Sequence, residues 1–173
     1  RLDSSGRLKW DVPPGEWTIM RMGRRSTGAS TRPAPEPGIG FDHDKFDKGA
    51  LEDHFDHYYG KLLQRVGPRA KEHGWTTMHL DSWEMGAQNW TPKFREEFQR
   101  RRGYDPQPYF PTFSGRVIKS VEVSERFLWD VRLTAQELVL ENYAGHLKTL
   151  GRDGRFELSI EPYDMNPTAD LDL

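Results

Sequence analysis

The chain has 173 residues, with six Trp, six Tyr and nine Phe in a hydrophobic share of 35%, enough aromatic mass to fill a core and to exclude disorder for the whole. Its 25 basic and 27 acidic residues leave a net charge of −2, so no strong field draws it to nucleic acid or to an anionic membrane. With no cysteine it has neither disulfides nor thiolate metal sites, which leaves the compartment open, and no apolar run is long enough for insertion into a membrane.

In chain order, "LKWDVPPGEWTIMRMG" (8–23) predicts a hairpin turning at Pro13-Pro14-Gly15, with Trp17, Thr18 and Ile19 opening the returning strand. Residues 24–44 hold too many Gly and Pro breakers for a regular element and predict a long connecting loop. Apolar positions from Phe46 to Val66 recur at helical spacing. "WTTMHL" (75–80) is short, β-rich and bounded, and predicts a strand. Thr91 reads as the N-cap of a helix with Pro92 at its first position, ending near Gly103. "YDPQPYFP" (104–111) reads as irregular, and 112–122 takes no assignment. Residues 124–150 predict a long amphipathic helix closed by Gly151, and "RFELSIE" (155–161) a second strand.

Helices alternating with strands argue for an α/β fold with a parallel sheet. No glycine-rich phosphate fingerprint follows either strand, which weakens an open nucleotide-binding sheet and favours a partial (β/α)8 TIM-like barrel. The expected division is 1–40 as the end of a β-module with its linking loop, and 41–173 as the N-terminal part of a barrel catalytic domain. A start at Arg1, inside what reads as a β-module, and an end just past a strand and loop predict an internal fragment whose partner is the remainder of its own longer chain.

The two strands end alike, in "MHLDSWE" and "LSIEPYD". Catalytic residues of a parallel barrel gather where its strands give out at their carboxyl ends. Asp81 and Glu84 from the first strand and Glu161 from the second would therefore share one mouth, and paired carboxyls across a cleft are the working groups of glycoside hydrolysis. Trp83, Trp90 and Tyr163 would offer flat faces to sugar rings, and Gln88, Asn89 and Asp164 would bond hydroxyls. A single acid at a strand end is more simply a turn cap, but three on matched ends, among aromatics and amides, favour function. Trp83 and Trp90 serve equally well as core packing.

Other clusters are weaker. Asp42, His43 and Asp44 depart from calcium-loop spacing, because Phe46 and Asp47 occupy the fifth and sixth positions. His54 and His57, three apart on a helix, could ligate metal, although a polar helix face explains them as well. "REEFQRRR" (95–102) sets acids first and bases last, as the helix dipole favours, and needs no ligand.

The run "DSWEMGAQNWTPKFREEFQRRRGYDPQPYFP" (81–111) resembles the family 106 glycoside hydrolases, the α-L-rhamnosidases. "VPPGEWTIMRMGRRSTGASTRPAPEPG" (12–38), "SERFLWDVRLTAQELVLENYAGHLKTLG" (124–151) and "SIEPY" (159–163) are similar to the same family, and the D-S-W-E…Q-N-W-T core is the specific part. His43 departs from the expected pattern. The resemblance implies a (β/α) barrel flanked by β-sandwich modules, removal of terminal α-L-rhamnose from plant-type glycans or glycosides with inversion, a calcium ion near the sugar, and a periplasmic or secreted location. It places Asp81 and Glu84 in the acidic catalytic segment, with Glu84 as general acid. The base is either Glu161 or a family glutamate further along than Leu173, in which case the fragment alone would be inactive. The rival classes are a non-catalytic carbohydrate-binding module and a metal-dependent hydrolase of another substrate.

Overall fold

The computed structural model describes residues 2–26, 28–31, 34–70, 72–81, 88–153 and 156–161. Asp47 caps the first helix, α1 (Lys48–Phe55), by accepting the Gly49 N–H at 3.1 Å. A π-helical turn (Asp56–Gly60) carries α1 into α2 (Lys61–Val66), which stops at Gly67, whose φ of +71° costs a glycine little. Strand β1 (Thr77–Leu80) follows, and then α3 (Phe94–Arg102).

The start of α3 corrects the expected cap. Thr91 gives its hydroxyl to Asp44 Oδ2 at 2.7 Å, and only its carbonyl serves the helix, accepting the Phe94 N–H at 3.0 Å. Regular helix accordingly begins at Phe94, and it ends on Gly103 in the left-handed conformation. The stretch expected to be irregular coils into a 3₁₀ helix, Gln107–Ser114, with proline in its first turn where no N–H is missed. Ser120 then caps α4 (Val121–Val139) by accepting the Val123 N–H at 3.1 Å. A second π-helical turn (Leu140–Ala144) leads into α5 (Gly145–Asp153), so Gly151 lies within the last turn rather than closing it.

Strand β2 (Glu157–Ile160) pairs with β1 in parallel, Thr77 opposite Glu157 and Leu80 opposite Ile160. The architecture is mixed helix and strand: one parallel pair joined by a long helical crossover. The helices cover one face of it. Phe94, Phe98, Phe127, Leu138 and Leu80 form the main core, and Met78, Ala70 and Phe156 a second cluster beside Trp75. Arg101, its side chain 8% exposed, ties α3 to α4 and the second π turn through Glu137 and Glu141.

The hairpin expected over 8–23 is not a ladder. The backbone bends at Pro14-Gly15, Trp10 and Trp17 meet edge to face at 5.0 Å, and the Trp17 indole donates to the Pro13 carbonyl at 2.9 Å. The arms pair no further, and Val12, Trp17 and Ile19 stay exposed. Two strands with no covered face gain too little from each other to hold a ladder. Among the described residues no helix is long and apolar enough to cross a membrane.

Candidate functional site

β1 alternates strictly: Met78 and Leu80 are 1% and 3% exposed, while Thr77 and His79 face out. In β2, Glu157 and Ser159 are exposed and Leu158 and Ile160 turn inward. With a side-chain period of two, Asp81 and Glu161 fall on the outward face with His79 and Ser159. The Glu161 N–H donates to the Leu80 carbonyl at 3.0 Å, which carries the ladder one step past both strands and sets the two acids side by side. His79 Nδ1 lies 3.2 Å from Ser159 Oγ.

His79, Asp81 and Glu161 each present one ligating atom within 4.8 Å of the other two, and all three are exposed. Two donors on one calcium ion stand up to ~5 Å apart, so the spacing fits a bound cation. The two carboxylates suit calcium, which takes six to eight oxygens, whereas the His79 nitrogen suits a softer metal. Asp81 and Glu161 meet where the matched strand ends place them, and His79 joins them from within β1. The i, i+2 spacing of His79 and Asp81 on a strand was the signal that could have found it.

Glu84, Trp83, Tyr163 and Asp164 lie outside the described residues. Gln88, half-buried, donates to Asp44 Oδ1 at 2.6 Å and accepts the Lys45 N–H at 3.4 Å. Asp44 also accepts the Phe46 N–H and the Thr91 hydroxyl, so Gln88 helps to pin the loop before α1 against the start of α3. Trp90 packs on Phe94 at 4.8 Å and edge-on to Phe110 at 5.5 Å, at the rim of the main core. Asn89 is exposed.

His54 and His57 part company. His57 turns to the Asp53 carbonyl at 2.8 Å, while His54 stacks on His43 with ring centres 5.1 Å apart and planes 11° from parallel. Burial, reinforced by His43, holds His54 below the ordinary imidazole range. Asp42 pairs with His43 and Lys45, and its hydrogen bond from His43, followed by those from Lys45, keeps its carboxyl well below the usual carboxylate range. A depressed carboxyl stabilises the fold above its unfolded value and loses that contribution as pH falls through the carboxylate range. Asp42→Asn should therefore lower stability at pH 7 by no more than about 1 kcal/mol, since the Asp42 side chain is half exposed. It should also reduce the stability lost on acidification from pH 6 to pH 2.5. Urea midpoints of the two proteins at both pH values check this, and parallel acid profiles would show that Asp42 contributes nothing.

The model of a glycoside hydrolase family, described as alpha-L-rhamnosidase, matches residues 1–168. A putative beta-glucuronidase of Formosa agariphila is 38% identical over 165 residues, covering 94% of this chain and 14% of that protein. The structure of a rhamnosidase from Novosphingobium sp. PP1Y superposes with a TM-score of 0.78 at 29% identity, over 96% of this chain and 16% of that one. The chain thus spans about a seventh of the length of these relatives. Parallel strands ending in paired acids, with these relatives, place it among the glycoside hydrolases. It belongs to glycoside hydrolase family 106.

Proposed function

We propose that these residues form part of the active centre of an inverting α-L-rhamnosidase, within a (β/α) barrel built by a longer chain that acts on plant-type glycosides in the periplasm or outside the cell. The observation that carries the reading is the parallel register, which sets Asp81 and Glu161 side by side at the carboxyl ends of neighbouring strands. Parallel sheets are covered on both faces, and the bare face of this one holds the acids, as the inner mouth of a barrel would.

Inverting acids stand about 6.5–9.5 Å apart to admit water. Asp81 and Glu161 bring one carboxylate oxygen each within 4.8 Å of the other, a spacing that suits a shared ligand better than an intervening water. Glu84, three residues beyond Asp81, is assigned as general acid, and the base comes from further along the longer chain. Asp81 and Glu161 hold the sugar's hydroxyls, and they are the carboxylates that would hold calcium. Calcium bound there would order the sugar hydroxyls and offset the clustered negative charge. Trp83, Tyr163 and Asp164 complete the sugar contacts, and Asn89 lies open to join them. Gln88 and Trp90 shape the mouth from behind. By this reading residues 1–173 alone do not turn over substrate.

Asp81→Asn and Glu161→Gln in the full-length enzyme test the assignment. Each should raise the calcium concentration needed for half-maximal activity and raise KM for an aryl rhamnoside about tenfold or more, in line with losing a charged partner of a bound group. An unchanged calcium dependence, with turnover lost in Glu161→Gln alone, would return Glu161 to the role of base. Full activity of both variants, or of enzyme stripped of calcium, would sink the cation-holding role.

A further inference from the structure

Residues 88–91 follow the carboxyl end of β1 and lead towards α3, the kind of connection on which parallel α/β folds carry their sites. They belong to no helix or strand, so side chains must fix their course. Gln88 and Thr91 both donate to Asp44, at 2.6 and 2.7 Å, and Trp90 lies on Phe94 and Phe110 at the rim of the main core. Asn89 alone of these residues is exposed. One carboxylate therefore grips the chain on either side of the residue that faces solvent.

The grip has a firm base. Asp44 is half-buried, and its Oδ1 also accepts the Phe46 N–H at 2.9 Å. Phe46 is 3% exposed, and its carbonyl accepts the Asn142 amide at 2.7 Å, which ties the loop before α1 to the second π turn. The Lys45 N–H returns the contact by donating to Gln88 Oε1 at 3.4 Å. Gln88 and Thr91 lie 44 and 47 positions along the chain from Asp44, so the tie is tertiary and not a feature of a local turn.

A carboxylate only accepts, and its two oxygens can serve all three donors with bonds stronger than neutral ones. Without it Gln88 and Thr91, both withdrawn from water, would have to turn to other partners, because a buried donor left unpaired is costly. The backbone carrying Asn89 would turn with them. The Asn89 amide offers a donor and an acceptor together, which neighbouring hydroxyls of a sugar can match.

We propose that Asp44 is a positioning residue for substrate binding: by clamping Gln88 and Thr91 it holds Asn89 out to a hydroxyl of the bound sugar. The proposal rests on the glycosidase reading above. Steady-state rates of the full-length enzyme on an aryl rhamnoside test it. Asn89→Ala and Asp44→Ala should each raise KM about threefold to tenfold, the worth of one neutral hydrogen bond, with kcat nearly unchanged. The double variant should be no worse than Asn89→Ala alone, because Asp44 acts through Asn89. Asp44→Asn should keep KM close to that of the wild type, since its oxygen still accepts from Gln88 and its amide can donate to the Thr91 hydroxyl. Where Asp44→Ala fails to fold, Thr91→Val, which severs one tie and keeps the side chain's shape, carries the same cycle. Multiplied KM effects in the double variant, a loss confined to kcat, or an unchanged KM in Asn89→Ala would overturn the clamp while leaving the glycosidase reading intact. A wild-type enzyme that cleaves no rhamnoside would overturn both.

Discussion

Replacing Glu84 by Gln in the full-length enzyme should lower turnover of a natural rhamnosyl disaccharide by roughly 10²–10⁴, the usual cost of losing a general acid. The amide keeps the shape of the side chain and removes the proton it could donate. The loss should depend on the leaving group. A sugar alkoxide needs that proton, whereas an acidic phenol departs with little help, so an aryl rhamnoside should suffer much less. Affinity for rhamnose should change little, because Asp81 and Glu161 remain. Steady-state rates on the two substrates give the answer. Equal losses would move the acid's role to another carboxyl, and undiminished rates would take Glu84 out of the chemistry.

The largest expected effect on stability is at Phe98. Its side chain is wholly buried, edge-on to Tyr104 at 5.0 Å and 5.8 Å from Phe127, with Phe94 one turn away. Phe98→Ala removes most of a ring's buried surface and leaves a cavity that the surrounding rings, held on three separate segments, cannot all close. The cost should be about 3–5 kcal/mol. That is a large share of the ~5–15 kcal/mol a domain possesses. Phe98→Leu, which refills part of the space, should cost less. Denaturant unfolding of the full-length variants measures both, and a penalty below about 1 kcal/mol for the alanine would show that these helices contribute little to the fold's cohesion.

What could be read from the sequence was whatever its own neighbourhood decides. The helical spacing of Phe46 to Val66, the long amphipathic run to Leu147 and the bounded β-rich run ending in Leu80 all form as expected. The likeness of the two strand ends placed Asp81 and Glu161 together. What escaped depends on distant partners. The Thr91 hydroxyl was diverted to Asp44, 47 positions earlier, so the helix it should have capped begins later. Gln88 is occupied by the same carboxylate, which nothing near it in the chain signals. The hairpin failed because β propensity in Trp17 and Ile19 cannot supply a face to pack against. The π turns left no mark, since one inserted residue shifts the apolar pattern by less than its natural scatter.

Those two insertions make the residue count of each helix part of how it meets its neighbours. Deleting one residue from Leu140–Ala144 would return that turn to ordinary α geometry with its backbone hydrogen bonds intact. Because the wide turn absorbs the extra residue, α5 would stay close to its present phase, while the side chains on the turn itself would shift around the helix. Tyr143 could not keep its place against His43 and Lys45, although neither had been substituted. An alignment that closes the gap by moving it a few positions along the helix would hide the difference. A chain one residue shorter here would therefore meet the loop before α1 differently, even where every acid is the same.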